Sequence, residues 1–342
     1  MKIKKIIFTV SALYLTLSLF ISCGNKLPQA DEFGIFHELS DGVKTAKSEK
    51  KNILLFITMG GFDAESDDFV SKILHSPEYK SSLGGKYVTV HFDFGSEAYM
   101  NSEVSHFTTD EERKDAEALN AQISRNVSLA RTLNLSYTPC VFLMNEDGYA
   151  FADELYSEVF DSVESLSEMI SEYEPDFVTF QEMVDETKKG TPVERMEALN
   201  VIYQIIDDKY LPTLKELFKS APEMDKKNES GLVSYLYFVY LMEESKKFTA
   251  AGDFVSAVGV LRDAAQSDTL EGEEKQQAFY MAANLLIQAG ASDFTAILGL
   301  LNNAVLASPE TDLAETCRGI ILQATEILSG NVDDAESSSE VK

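Results

Sequence analysis

The chain has 342 residues, 44% hydrophobic and 25% charged, which gives enough apolar matter for about two globular cores and excludes a disordered polymer. Its formal charge of −28 repels phosphate, so nucleic acid and anionic headgroups are poor partners and no nucleic acid is expected. Three cysteines exclude a disulfide framework and leave room for one bridge at most.

In chain order, Lys2, Lys4 and Lys5 precede an apolar run from Ile6 to Ile21. That run is short and punctuated by Ser and Thr, the pattern of a secretory signal rather than a membrane span. It ends in Phe20-Ile21-Ser22-Cys23, which is similar to a bacterial lipobox, with Phe where Leu is usual. The resemblance implies a signal peptide over residues 1–22 and a fatty acyl anchor such as palmitate on Cys23. It further implies a tether over 23–30 and a place in the bacterial cell envelope, on the periplasmic or surface face. An ordinary signal peptide, with Cys23 near the cleavage point by chance, is the alternative.

Between Asp31 and Lys50, the apolar residues Phe33, Phe36, Leu39, Val43 and Ala46 recur at helical spacing and predict a helix. The run Ile53 to Ile57 predicts a buried central strand, followed by a loop and a helix from about Glu65. Alternation from Tyr87 to Phe92 predicts a second core strand. The polar segment from Gly95 to Arg125, with its charged stretch DEERKDAEAL, predicts a small helix. A helix over Val127 to Leu133, then Thr138-Pro139, leads into a strand over Val141 to Met144. Glu146-Asp147-Gly148 reads as a hairpin turn into a strand from Tyr149 to Ala152, and a helix follows from about Ser162 to Glu172.

Two stretches, KNILLFITMGGFDAESDDFVSKIL from Lys51 and YTPCVFLMNEDG from Tyr137, together resemble a thioredoxin-type α/β domain covering residues 31–174. In that resemblance Phe62 stands at the family's Trp position, Asp63 at the nucleophilic Cys and Ser66 at the resolving Cys. It implies a cis peptide bond at Pro139 and a peptide groove walled by Phe62, Thr138 and Pro139. It also implies an insertion after the second core strand. The Asp-x-x-Ser variant is similar to lipoproteins of spirochaetes. Dithiol–disulfide exchange needs a thiolate and a second thiol, so the missing sulfurs argue against redox catalysis at Asp63 and Ser66.

Four acids, Asp63, Glu65, Asp67 and Asp68, cluster at the loop and helix start. Carboxylates in such a group suit a hard cation, but an N-cap with acids complementing the helix dipole accounts for them more simply. Cys140, directly after Pro139, is either a candidate reactive thiol or a small buried hydrophobe on a core strand. Cys317 falls on an apolar helix and reads as structural. His37, His75, His91 and His106 lack metal-ligand spacing, and no Gly-rich phosphate loop or nucleophile elbow occurs, so no cofactor is expected.

Glu174-Pro175-Asp176 reads as a boundary, with residues 178–328 helical throughout. GDFVSAVGVLRDAA, from Gly252, superposes without gaps on SDFTAILGLLNNAV, from Ser292. The shared Gly259 and Gly299 predict close approach of helix backbones. The pair resembles tetratricopeptide-like helical repeats, and a non-repetitive bundle is the alternative. The aromatic stripe SYLYFVYLM, from Ser234, predicts the preceding helix of the stack. Residues 329–342 are acidic, poor in apolar side chains and expected to be disordered.

The sequence thus describes an α/β thioredoxin-like domain followed by an all-α repeat domain. The expected function is that of a membrane-anchored, redox-inactive module that binds protein or peptide, chaperone-like, in the envelope. An atypical thiol–disulfide oxidoreductase using Cys140 is the alternative.

Overall fold

The computed structural model describes residues 28–135, 137–155 and 160–337. Cys23, the expected signal peptide over 1–22 and residues 23–27 of the expected tether lie outside the described residues.

A five-stranded mixed sheet organises the first half of the chain: β1 (Ile35–Phe36), β2 (Ile53–Thr58), β3 (Val88–Asp93), β4 (Cys140–Met144) and β5 (Ala150–Leu155). Its spatial order is β1-β3-β2-β4-β5. The β1–β3 and β3–β2 pairs are parallel, whereas β2–β4 and β4–β5 are antiparallel. The six residues of β2 are all buried, because helices cover both faces of the sheet. Strand alternation then divides the core. Ile53, Leu55 and Ile57 face one side with Val90, Phe92, Cys140 and Phe142. Leu54 and Phe56 face the other with Val141, Phe69, Leu74, Tyr79 and Leu166. The hairpin turn between β4 and β5 is made by Asn145, whose side-chain oxygen accepts from the amides of Asp147 and Tyr149, and by Gly148 at φ +82°.

Residues 33–36 are not helical. The Asp31 carboxylate accepts from the amides of Phe33 and Ile35, each at 2.9 Å, and Ile35–Phe36 pairs along β3. Those amides are therefore committed to a turn and a strand edge, and α1 (Leu39–Glu49) begins only afterwards. Local period was outweighed by a vacant place beside β3.

The helix α2 (Ala64–Phe69) widens at its end into a π-helical turn over Val70–Leu74, and the short helices α3 (Pro77–Ser81) and α4 (Leu83–Lys86) lead to β3. Beyond β3, α5 (Ser96–Ser102) precedes a single 23-residue helix, α6 (Asp110–Thr132). The two separate helices expected in this stretch are thus one. Thr109 and Glu112 form a reciprocal capping box, and nothing within the segment breaks the hydrogen-bond ladder. From α6, Gln122 and the buried Asn126 each donate to the His37 carbonyl at 2.9 Å, which docks the helix on the loop after β1.

The remaining elements are all helical: α7 (Val163–Glu172), α8 (Glu174–Glu186), α9 (Pro192–Ile205), α10 (Leu211–Lys219), α11 (Ala221–Met224), α12 (Val233–Ala250), α13 (Phe254–Gln266), α14 (Gly272–Gln288), α15 (Phe294–Ala307) and α16 (Asp312–Ser337). Glu174-Pro175-Asp176 is a joint between α7 and α8, but the core continues across it. Phe177 and Phe180 of α8 pack on Phe151 of β5 with ring centroids at 4.8 and 5.2 Å. Thr213 of α10 accepts from the Ala150 amide at 2.9 Å, and Asp153 takes both the Tyr210 hydroxyl and Lys209. One apolar cluster runs from Phe36 through the sheet to Val239 of α12. A separate cluster begins at Leu241 and ends at Cys317.

From α12 to α16 each helix packs on the next in sequence, with further contacts between α12 and α14 and between α14 and α16. The duplicated segments are α13 and α15, each N-capped by an aspartate, Asp253 onto the Ser256 amide and Asp293 onto the Ala296 amide, both at 3.0 Å. Leu261 and Leu301 occupy equivalent, fully buried places. Gly259 and Gly299 do not mediate close approach, since a Cβ at either position would meet nothing within 4 Å. With no contact to lose, Gly259→Ala should stabilise the protein by about 0.5–1 kcal/mol through helix propensity and unfolded-state entropy. A rise in the urea midpoint checks this, and a fall would show a contact at that face. The last helix continues past Leu328 to Ser337, where the acidic tail was expected to be disordered; no Pro interrupts it, and extension needs no fresh nucleation. Residues 338–342 lie outside the described residues.

Candidate functional site

At the C-terminal end of β2 the chain turns through Met59-Gly60-Gly61-Phe62 into α2. Asp63 caps that helix from an extended backbone, one carboxylate oxygen accepting from the Ser66 amide at 2.5 Å. Its second oxygen accepts from the Thr138 hydroxyl at 2.8 Å. The Thr138–Pro139 bond is cis, as the sequence led us to expect. The structure therefore brings Asp63, Ser66, Thr138 and Pro139 together, although 75 residues separate Asp63 from Thr138. Ser66 is fully buried and its hydroxyl accepts from the Met59 amide at 3.0 Å, tying the helix to the loop that precedes it.

A carboxylate at residue 63 thus joins two loops. Asp63→Ala removes the cap and leaves Thr138 without its acceptor, a loss of about 2–4 kcal/mol. Asp63→Asn, which keeps an acceptor at the cap, should recover most of it. Chemical denaturation of the two variants reads the difference, and equal stabilities would show that the Asp63 side chain is not the link.

The four acids do not converge on one point. Asp63 is committed as above, Asp67 accepts from the Gly61 amide at 2.9 Å, and Asp68 pairs with Lys72 at 2.8 Å. Among the described residues no three His, Cys, Asp or Glu side chains are grouped to hold a metal ion.

The loop after β3 seals the same edge. Phe94 donates its amide to Thr58 at 2.9 Å and Ser96 to Gly60 at 2.9 Å. A Cβ at Gly95 would stand 2.6 Å from the Gly60 carbonyl oxygen, so only glycine fits there. Sequence reading missed this loop, whose one visible signal was the Gly directly after a strand.

Two exposed aromatic rings stand next to the Asp63–Thr138 link in the chain, alongside the exposed acids Glu65, Asp67 and Asp68. Phe62 is 62% exposed and Tyr137 68% exposed, so neither ring serves the core. An open groove of about 370 Å³ is lined by Met59, Phe94, Tyr99, Arg131, Asn134 and Leu135, and not by the expected wall residues Phe62, Thr138 and Pro139. Sequence reasoning did not find Met59, Tyr99 or Leu135, because they come from three segments that only the fold assembles.

Cys140 stands immediately behind this edge, fully buried on β4 opposite Ile57. Burial pushes its thiol well above the ordinary range, and the Asp153 carboxylate adds to the effect. A thiolate there is disfavoured, the opposite of what a redox nucleophile requires. Cys317 is also buried, and burial raises its thiol too. His91 lies below the loop: its Nε2 meets the Thr58 hydroxyl at 2.7 Å, and its ring faces His37. Burial pushes its imidazole down to about 3, with His37 and His75 adding to the shift. His75 caps the π-turn and stacks on Phe33 at 3.9 Å.

Comparison with known proteins places residues 233–328 in a match to a family described as "Uncharacterised protein C-terminal domain". That segment begins with α12 and ends within α16. No curated protein matches the chain. Among solved structures the chain is similar to a "DsbH Oxidoreductase", at 18% identity over 40% of this chain and 85% of that one, with a TM-score of 0.24. Among the described residues no helix is long and apolar enough to cross a membrane.

Proposed function

We propose that this protein is a redox-inactive, thioredoxin-type peptide-binding module, held at a bacterial envelope membrane by a lipid on Cys23 and joined to tetratricopeptide-like helical repeats. The sheet order, the strand directions and the cis bond before β4 support the thioredoxin-type reading. The observation that carries the binding role is the Asp63–Thr138 hydrogen bond, which links two loops that each expose an aromatic ring next in the chain, Phe62 and Tyr137. An Asp in place of the nucleophile forfeits exchange chemistry but holds both loops in place. Exposed aromatic rings suit the apolar side chains of an extended segment of an unfolded or incompletely folded protein.

Extended peptides rich in apolar residues should bind the full chain, and Phe62→Ser with Tyr137→Ser should weaken that binding by roughly tenfold or more. Insulin disulfides should not be reduced, and Cys140→Ser should change neither result. Peptide binding that ignores Phe62 and Tyr137, or disulfide turnover lost with Cys140, would overturn the reading. The anchor is tested separately: fatty-acid labelling should mark the wild type and not Cys23→Ser.

A further inference from the structure

The aromatic stripe on α12 lies away from the groove, yet it walls a second cavity of about 270 Å³ among the helices. Tyr235, Phe238 and Met242 of α12 face Tyr203 of α9, and the Tyr203 and Tyr235 rings meet edge to face at 5.5 Å. Three carboxylates and one ammonium line the same cavity: Asp208 from the turn before α10, Glu243 and Lys246 from α12, and Glu274 from α14. Glu243 is buried and already matched by Lys246 at 2.6 Å. Among the described residues neither Asp208 nor Glu274 is ion-paired, and Glu274 accepts a hydrogen bond from Ser234 at 3.2 Å.

We infer that this cavity binds an aliphatic primary ammonium, its carbon stem against the aromatic walls and its charge between Asp208 and Glu274. Tyrosine and phenylalanine faces attract cations, and apolar walls take up methylene groups while leaving the charged end at the acidic rim. The volume lies below the roughly 300–1,000 Å³ of sites for drug-sized ligands, which suits something the size of one side chain. With Lys246 balanced by Glu243, and with Asp208 and Glu274 outside any ion pair among the described residues, the lining is net acidic, which disfavours any anion there. A lysine side chain and a free alkyl diamine share this chemistry. No residue is common to this cavity and the groove at Met59 and Tyr99, so the variants below leave that groove's lining unchanged.

Calorimetric titration of the full chain at low salt with 1,5-diaminopentane, a short lysine-containing peptide and 1,5-pentanediol tests it. Saturable binding of at least one amine, and none of the neutral diol, is expected. Binding by the peptide alone would assign the site to protein lysines, and binding by the diamine alone to free amines. Glu274→Gln combined with Asp208→Asn should weaken the amine by about tenfold or more while leaving thermal unfolding without ligand near that of the wild type. Tyr235→Leu should weaken it with both carboxylates intact. No saturable binding of either amine, equal binding of the diol, or indifference to the charge-neutral double variant would each overturn the proposal.

Discussion

A fragment ending at Glu174 is expected to lose cooperative unfolding, whereas one ending at Ala251 retains it. The first cut strips α8 from the sheet and with it Phe177, Phe180 and Val184, all buried. Full burial of such side chains is worth about 1.5–3 kcal/mol each, so these three alone approach the roughly 5–15 kcal/mol that holds a typical domain folded. The same cut removes Thr213 from the Ala150 amide and Tyr210 and Lys209 from Asp153, leaving β5 with unmatched polar groups. The second cut keeps the whole cluster that ends at Val239 and discards only helices packed around the other one. Calorimetry and near-ultraviolet circular dichroism, read from Tyr and Phe because the chain has no Trp, compare the two fragments. A sharp transition in the shorter fragment would show that residues 31–174 form a domain unaided.

Mild acid is expected to weaken the protein through His91 before most carboxylates titrate. The imidazole is buried against Thr58, with burial as the main cause of its depressed basicity, His37 and His75 adding to it and Asp31 opposing it. Its folded value of about 3 lies below the roughly 6.5 of an unfolded chain. Unfolding therefore takes up a proton that the native state refuses. Stability is complete above about pH 6.5 and falls as the pH drops toward 3, by up to about 1.4 kcal/mol per unit and so about 2 kcal/mol at pH 5. Unfolding free energies from urea titrations at pH 7 and pH 5 should differ by that amount in the wild type. In His91→Gln, which keeps a hydrogen-bonding partner for Thr58, the difference should largely vanish. A parallel loss in both proteins would place the acid sensitivity elsewhere.

Much of the α/β region was legible because each signal was local. The run Ile53 to Ile57, the turn at Asp147-Gly148 and the Ser162 cap each specify an element from neighbouring residues, and each was found within a few positions. The errors share a different cause. Phe33 and Phe36 carry a helical period, yet Ile35–Phe36 pairs with β3, a strand more than 50 residues away. Gly259 and Gly299 repeat at equal spacing, but whether a missing Cβ meets another helix or open space depends on helix rotation, which sequence identity between repeats does not report.

By itself the sequence determined strands β2 to β5 and the all-helical second half, the absence of sulfur at residues 63 and 66, the duplicated helices and the acidic balance, since composition, period and caps act within a turn or two of the chain. Tertiary structure alone decided which surfaces stay open. It set Thr138 on the Asp63 carboxylate, buried Cys140, gathered Met59, Tyr99 and Leu135 into one groove and turned the aromatic stripe of α12 toward acids from two other elements. Those are contacts between distant segments, fixed by packing that must fill both faces of the sheet at once. For the same reason the core ran past Glu174: the exposed face of β5 required a cover, and α8 to α10 supply it.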